Sequence, residues 1–491
     1  MDFQTLQKQN PWWENPSRIN EDINLIELES FPLKWTPRLL KHINFEKNAV
    51  YSIRGPRQIG KTTTIKMVIK KLLETMPAQN IFYFACDNLK DNIDLAEVLE
   101  IFYDRVRAQN KERIYIFLDE ISYVKDWQKA IKYFIDTKGS QNITITLTGS
   151  NILDLKKSSE RLPGRVGEKE GVNSNKILLP MKFAEFIELK NPELHTKIKA
   201  LRLDEHETRA KDFQKILDGT LPESIWALSY LQQELDRLLE DYLITGGIML
   251  AINEHHKTGR ISHHIYDLYT KQIFADITRA GRDENTAKFI LSSILKKMGT
   301  PSSWNGISKE NNIPSQQTVE QYTYILRDIF ALSICYKIEI TGSQKYAGNR
   351  KIYVSNPFIY NALFHALFDP AKDPYLTAKD NITDPEKKSV LIEALILNHL
   401  SRACYNLMPS DLYEPSDLIF YTRTKKGIEI DFLVKTSSGL RGIEVKYQNQ
   451  INAEDFIGIR KLKSGVIISK NKLEQKERFA VIPVSLFLLY I

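Results

Sequence analysis

The chain has 491 residues, of which 42% are hydrophobic and 26% charged, with a net charge of +7. These values are ordinary for folded globular protein and exclude a collagen-like, low-complexity or mainly disordered chain, and the length suits about three domains. A mild positive excess decides nothing about partners until its distribution is known.

Three cysteines, Cys86, Cys335 and Cys404, lie too far apart for a CxxC pair. Neither a disulfide framework nor a cysteine zinc site is expected, and a reducing cytoplasm fits. The N-terminus lacks the basic and apolar segments of a signal peptide. The longest apolar run, 479–491, contains Pro483 and falls short of the ~20 residues that span a bilayer. No membrane association is expected, and the run reads as buried closing strands.

In chain order, residues 1–45 read as an N-terminal extension packed on the adjoining domain. Apolar runs at 49–54, 81–85, 114–118, 143–148 and 176–179 are separated by helical stretches at 62–75, 93–108 and 126–136. Continuous apolar strands between helices predict a parallel sheet covered on both faces, an α/β domain over 46–182. Residues 183–284 read as a helical connector punctuated by Gly246-Gly247. Over 285–366 the spacing predicts helices at 287–298, 304–312 and 316–330, then strands at 332–340 and 351–354 around a loop. Three helices and a hairpin read as a winged helix-turn-helix or as another small α+β subdomain. The last domain, 367–491, opens with a proline-bearing linker at 367–385. A helix at 386–404 comes next, then strands near 418–422, 428–435, 442–448, 465–469 and 480–482, with a helix before the fourth.

The sharpest local signal is Gly55-Pro56-Arg57-Gln58-Ile59-Gly60-Lys61-Thr62, followed by Thr63. It matches GxxxxGK[ST], sits between a strand and a helix start, and is expected by chance only about twice in a hundred chains of this length. Glycines let backbone N–H groups wrap phosphates at a helix N-terminus. Lys61 reaches the β- and γ-phosphates of ATP, and the Thr62 hydroxyl coordinates Mg²⁺. The strand at 114–118 ends in Asp119-Glu120. Asp119 suits the Mg²⁺ shell, and Glu120 is placed to polarise the attacking water. Thr148-Gly149-Ser150-Asn151 closes the next strand, where a polar side chain serves either as γ-phosphate sensor or as turn cap. Arg161 and Arg165 read either as solvated loop arginines or as cations for the nucleotide of a neighbouring subunit.

With Leu118-Asp119-Glu120, Leu162-Pro163-Gly164-Arg165 and the run Leu178–Phe186, these motifs resemble the prokaryotic AAA+-type ATPases that carry a C-terminal winged helix and a nuclease-like domain. Tyr242–Gly247 matches a Gly-Gly landmark of that group, although Ile248-Met249 stand where a proline is usual. The resemblance covers nearly the whole chain after residue 45. It implies Mg²⁺-dependent ATP hydrolysis by an AAA+-like parallel-sheet core, with Glu120 and Arg165 in catalytic roles.

A second constellation lies near the C-terminus. Asp431 sits on one alternating strand, and Glu444-Val445-Lys446 on the next, with Glu444 and Lys446 on one face. Glu393 stands on or beside an apolar helix face. Asp431 and Glu444 suit one or two Mg²⁺ ions, and Lys446 suits a nucleophile or a developing phosphorane charge. The set resembles the PD-(D/E)xK nucleases, whose restriction-endonuclease-like fold it implies, with Glu393 as the helix acid. That fold also serves as a binding scaffold without activity.

The charge is clustered. Residues 285–355 hold nine Lys or Arg, Arg350 and Lys351 among them, against four acids, and 460–478 hold seven against two. Gln316, Gln317 and Thr318 offer hydrogen-bonding tips at the start of the third helix. The expected partner is DNA, duplex or branched, and the expected assembly a homo-oligomer. The activity reads as ATP-driven DNA processing with metal-dependent cleavage, or as a nucleotide-switched DNA-binding scaffold without cleavage.

Overall fold

The structure, a computed structural model, describes residues 3–109, 112–139, 141–149, 174–340, 348–407, 417–424 and 426–491. The chain divides into two compact units, Met1–Leu179 and Pro180–Ile491.

The first unit holds β1 (Ala49–Arg54), β2 (Ile81–Ala85), β3 (Ile114–Asp119), β4 (Ile143–Gly149) and β5 (Asn175–Ile177). They form one parallel sheet in the order β2-β3-β4-β1-β5. Every residue of β1, β3 and β4 is buried, the pattern of strands covered on both faces. Around it lie α1 (Phe3–Gln9), α2 (Ile23–Ser30), α3 (Lys61–Leu72), α4 (Asn92–Gln109) and α5 (Trp127–Lys138). Trp127, Ala130, Ile131 and Phe134 of α5, at helical spacing, share a core with Ile116, Leu118, Ile145 and Leu147. In the N-terminal segment Trp12 is fully buried, and its Nε1–H donates to the Ile81 carbonyl at 3.0 Å. This is the expected parallel-sheet α/β core. Because β4 stands between β1 and β3, the carboxyl ends of all three strands meet at one edge of the sheet, where open α/β sheets bind ligands.

The second unit begins with seven helices, from α6 (Phe183–Lys190) to α12 (His263–Arg279). Gly246 and Gly247 end the helix Gln232–Thr245, with φ of 61° and 71°. A Cβ on Gly247 would lie 2.1 Å from the Met181 carbonyl oxygen, so only glycine fits there. Next come α13 (Glu284–Lys296), α14 (Trp304–Glu310) and α15 (Gln316–Asp328), then the antiparallel pair β6 (Leu332–Lys337) and β7 (Arg350–Val354). Ser302 and Arg350 exchange two backbone hydrogen bonds, adding a short bridge outside β7. After α16 (Pro357–Phe368), α17 (Pro374–Thr383) and α18 (Pro385–Leu407) come β8 (Ile419–Arg423), β9 (Glu429–Thr436), β10 (Gly439–Lys446), β11 (Gly465–Ser469), β12 (Glu474–Lys476) and β13 (Phe479–Pro483). One eight-stranded sheet runs β12-β13-β11-β10-β9-β8-β6-β7.

The expected elements are corrected in four places. The sheet does not break at the boundary expected between 366 and 367, because β6 pairs in parallel with β8 through Tyr336–Phe420 and Lys337–Tyr421. The expected linker at 367–385 contains α17: Pro374 takes the first helical position, where its missing N–H costs nothing, and the Asp373 carboxylate accepts from two backbone N–H groups. The helix expected before β11 is two single turns, Ala453–Phe456 and Ile459–Lys461. The apolar C-terminus is buried as expected, but it is one strand followed by the short helix Val484–Phe487.

Candidate nucleotide site and a second carboxylate cluster

The loop after β1 turns into α3 at Gly60, whose φ of 88° lies in the left-handed region that glycine enters without strain. Lys61 is 4% exposed, and its ammonium donates to the carbonyls of Gly55 at 3.1 Å and Pro56 at 2.9 Å. Thr62 Oγ1 donates to Asp119 Oδ2 at 2.7 Å. The P-loop and the acid at the end of β3, 57 residues apart in sequence, therefore meet. Glu120 comes next in the left-handed region at φ 51°, and its Oε1 stands 3.8 Å from the Lys61 ammonium. A non-glycine residue held there stores about 1–3 kcal/mol of strain, a feature that clusters at functional sites. Arg57 donates to the Tyr123 hydroxyl at 3.2 Å.

Two residues on neighbouring strands complete the site. Thr148 Oγ1 donates to Asp119 Oδ1 and accepts the Glu120 N–H at 3.0 Å, so one hydroxyl ties both acids to β4. Ser150, Asn151, Arg161 and Arg165 lie outside the described residues. Tyr83 on β2 donates its hydroxyl to Asp119 Oδ2 at 3.0 Å. Burial, and after it the Asp119 charge, pushes the Tyr83 phenol far above its ordinary range, so it stays a donor. The Lys66 ammonium caps the Tyr83 ring 3.4 Å from its centre and pairs with Asp22 Oδ2 at 3.1 Å. No motif marks Tyr83: in the sequence it is one aromatic in an apolar run.

The second cluster gathers every residue expected for it and adds three. The Lys351 ammonium, 1% exposed at its side chain, stands 2.6 Å from Glu429 Oε1, 2.9 Å from Glu393 Oε1 and 2.9 Å from Asp431 Oδ1. The Tyr353 hydroxyl also donates to Glu393 Oε1. Asp431 Oδ2 accepts the Val445 N–H at 2.9 Å, and Glu444 Oε1 pairs with Lys446 at 2.7 Å. Burial opposes the charge on Lys351, but the surrounding carboxylates, Asp431 foremost, outweigh it and hold the ammonium above its ordinary range. Burial, and after it the Asp431 charge, lifts Glu393 to about 7 and Glu444 to about 8. Asp431 stays below the ordinary carboxylate range despite burial, because Lys351 faces it.

This corrects one expectation. Arg350 and Lys351, counted in the basic patch of 285–355, are 4% and 1% exposed and are not surface cations. Sequence reading missed Lys351, Tyr353 and Glu429 as members of the cluster. Their signal was the spacing of two that puts Lys351 with Tyr353, and Glu429 with Asp431, on shared strand faces. Among the described residues, no group of three or more His, Cys, Asp or Glu side chains is placed to hold a metal ion. Around Lys351 the carboxylate oxygens converge on an ammonium, and that arrangement does not fit Mg²⁺, which demands six oxygens at about 2.1 Å. Thr62 in the first turn of α3 and Asp119 at the end of β3, both hard oxygen donors, do fit it. No described helix is long and apolar enough to cross a membrane.

Residues 47–187 match the family model of an AAA domain, and residues 236–369 and 388–487 match two domain families of unknown function. An uncharacterised protein of Methanocaldococcus jannaschii is 26% identical over 241 residues, 48% of this chain and 45% of that protein. An uncharacterised protein of Haemophilus influenzae is 22% identical over 62% of this chain and 66% of its own length. The first match thus spans about half of its relative. Among solved structures, the Walker-type ATPase of Pyrococcus abyssi aligns with 70% of this chain and 95% of its own at 12% identity and a TM-score of 0.37. RuvB of Thermotoga maritima aligns with 72% and 92% at 18% identity and a TM-score of 0.24. At these scores neither likeness bears on function.

Proposed function

We propose that this chain, which carries an AAA-type P-loop ATPase domain, binds ATP with Mg²⁺, hydrolyses it, and couples the cycle to DNA binding. The observation that carries the ATPase reading is the 2.7 Å contact between Thr62 and Asp119, with Lys61 and Glu120 beside it. Thr62 and Asp119 would hold Mg²⁺, which when bound offsets phosphate charge. Lys61 leaves its loop carbonyls for the β- and γ-phosphates, and Glu120 orients the attacking water and accepts its proton. Thr148 holds both acids in register. A homo-oligomer, with Arg165 serving a neighbouring subunit, belongs to the same reading.

DNA is the partner that the helical and basic features of the second unit favour. The order α13-α14-α15-β6-β7 is that of a winged helix, and Gln316 and Gln317 are exposed at the start of its third helix. In the second patch Arg460, Lys461, Lys463, Lys472 and Arg478 are exposed, a surface suited to phosphates. Of the two expected roles for the C-terminal domain, the burial of Lys351 among the acids favours the scaffold over metal-dependent cleavage. One experiment tests the whole: ATPase, binding and cleavage assays on purified protein with linear, branched and single-stranded DNA. Turnover in the wild type that is lost in Lys61→Ala, with DNA retained and uncut, supports the reading. Turnover that survives Lys61→Ala sinks it.

A further inference from the structure

We propose that Lys351 is the resident cation of the Glu393–Glu429–Asp431 cluster, making it a clasp between the β6–β7 hairpin and the C-terminal strands rather than a divalent-metal site. An ammonium has three N–H donors, and here it donates to Glu393 Oε1 and Asp431 Oδ1 at 2.9 Å each and forms an ion pair with Glu429 Oε1 at 2.6 Å. The geometry is complete without any further ligand.

The cation is also hard to displace. Its strand is paired with β6, where Lys351 stands opposite Cys335, and Arg350 is bonded on the other side to Ser302. Two residues on, Tyr353 adds its hydroxyl to Glu393 from the same strand, so two side chains of β7 hold one acid of α18. Neighbouring acid oxygens are engaged too: Asp431 Oδ2 by the Val445 N–H, Glu429 Oε2 by Arg423 at 3.7 Å and Glu444 Oε1 by Lys446. A divalent ion placed where these carboxylates converge would coincide with the Lys351 ammonium. Entry would require expelling a buried, tethered cation and stripping its ammonium of these acids. The clasp adds to the β6–β8 pairing that makes the eight-stranded sheet continuous, tying β7 to an acid on β9. The inference rests on the scaffold reading only for its consequence, the absence of cleavage; it stands whether or not the protein binds DNA.

The test uses the full nucleotide-free chain and Mn²⁺, counted by electron paramagnetic resonance, in wild type and Asp431→Asn. Any metal bound elsewhere is common to both. The expected result is equal occupancy, with duplex DNA uncut in Mg²⁺ or Mn²⁺. One Mn²⁺ equivalent present in the wild type and missing from Asp431→Asn overturns the proposal. A second measurement uses Lys351→Met, which should gain a Mn²⁺ equivalent that raises its thermal midpoint while the wild-type midpoint stays unmoved. A folded Lys351→Met that gains none counts against a cation's place for the ammonium. If this variant does not fold, the first comparison still decides.

Discussion

The Tyr83 hydroxyl donates to Asp119 Oδ2 at 3.0 Å, the same oxygen that accepts from Thr62. A phenol from the neighbouring strand thus fixes the acid proposed to hold Mg²⁺, and a chain of contacts through Lys66 ties it to Asp22 in the N-terminal extension. A hydrogen bond to a carboxylate contributes about 1.5–3 kcal/mol. Tyr83→Phe should therefore raise the Mg²⁺ concentration for half-maximal ATPase roughly tenfold, with kcat at saturating Mg²⁺ changed little. A merely structural role would lower kcat at every Mg²⁺ concentration.

Lys61 and Glu120 should separate binding from turnover. Lys61→Ala removes the cation for the phosphates and should abolish detectable nucleotide binding. Glu120→Gln keeps the shape and loses the base, so it should retain ATP while turnover falls by roughly 100-fold or more, within the range for lost general-base catalysis. Fluorescent-nucleotide titration and single-turnover hydrolysis read the two steps.

The raised carboxyls of Glu393 and Glu444 make stability depend on pH with a defined sign. In the folded chain, burial and the Asp431 charge keep protons on these groups up to about 7 and 8, whereas in the unfolded chain they are lost near about 4.3. The stabilisation is complete below the unfolded value and is lost as pH rises through the folded values. Glu444→Gln cannot titrate, so the drop in thermal midpoint between about pH 5 and pH 8.5 should be shallower than in wild type, corresponding to about 1–3 kcal/mol. An identical slope in the two proteins would show that Glu444 does not carry the effect.

DNA affinity should fall steeply with salt, because phosphate contacts release counterions. Replacing Lys461 and Lys463 together by alanine should lower the slope of log affinity against log salt by up to about two. Replacing Gln316 and Gln317 should weaken binding with little change in that slope, since neither carries charge. A flat salt response in the wild type would remove DNA as the partner.

The first unit is legible in the sequence almost completely. The five strands, the Gly55–Thr63 loop and the acids Asp119 and Glu120 are local features: a buried parallel strand is written as an apolar run, and a phosphate loop as two closely spaced glycines and a lysine. Asp431, Glu444 and Lys446 could likewise be placed on paired strands and Glu393 on its helix, because periodicity and turn spacing are short-range. Which residues those acids meet is settled by the tertiary structure. Lys351 reads in the sequence as one more cation of a basic wing, yet it is buried against carboxylates 42, 78 and 80 residues away. Tyr83 reads as core, yet its hydroxyl reaches Asp119. Both outcomes come from strand order, which brings together side chains that no sequence period connects. Burial then fixes their meaning, since an ammonium or a phenol removed from water must find a partner.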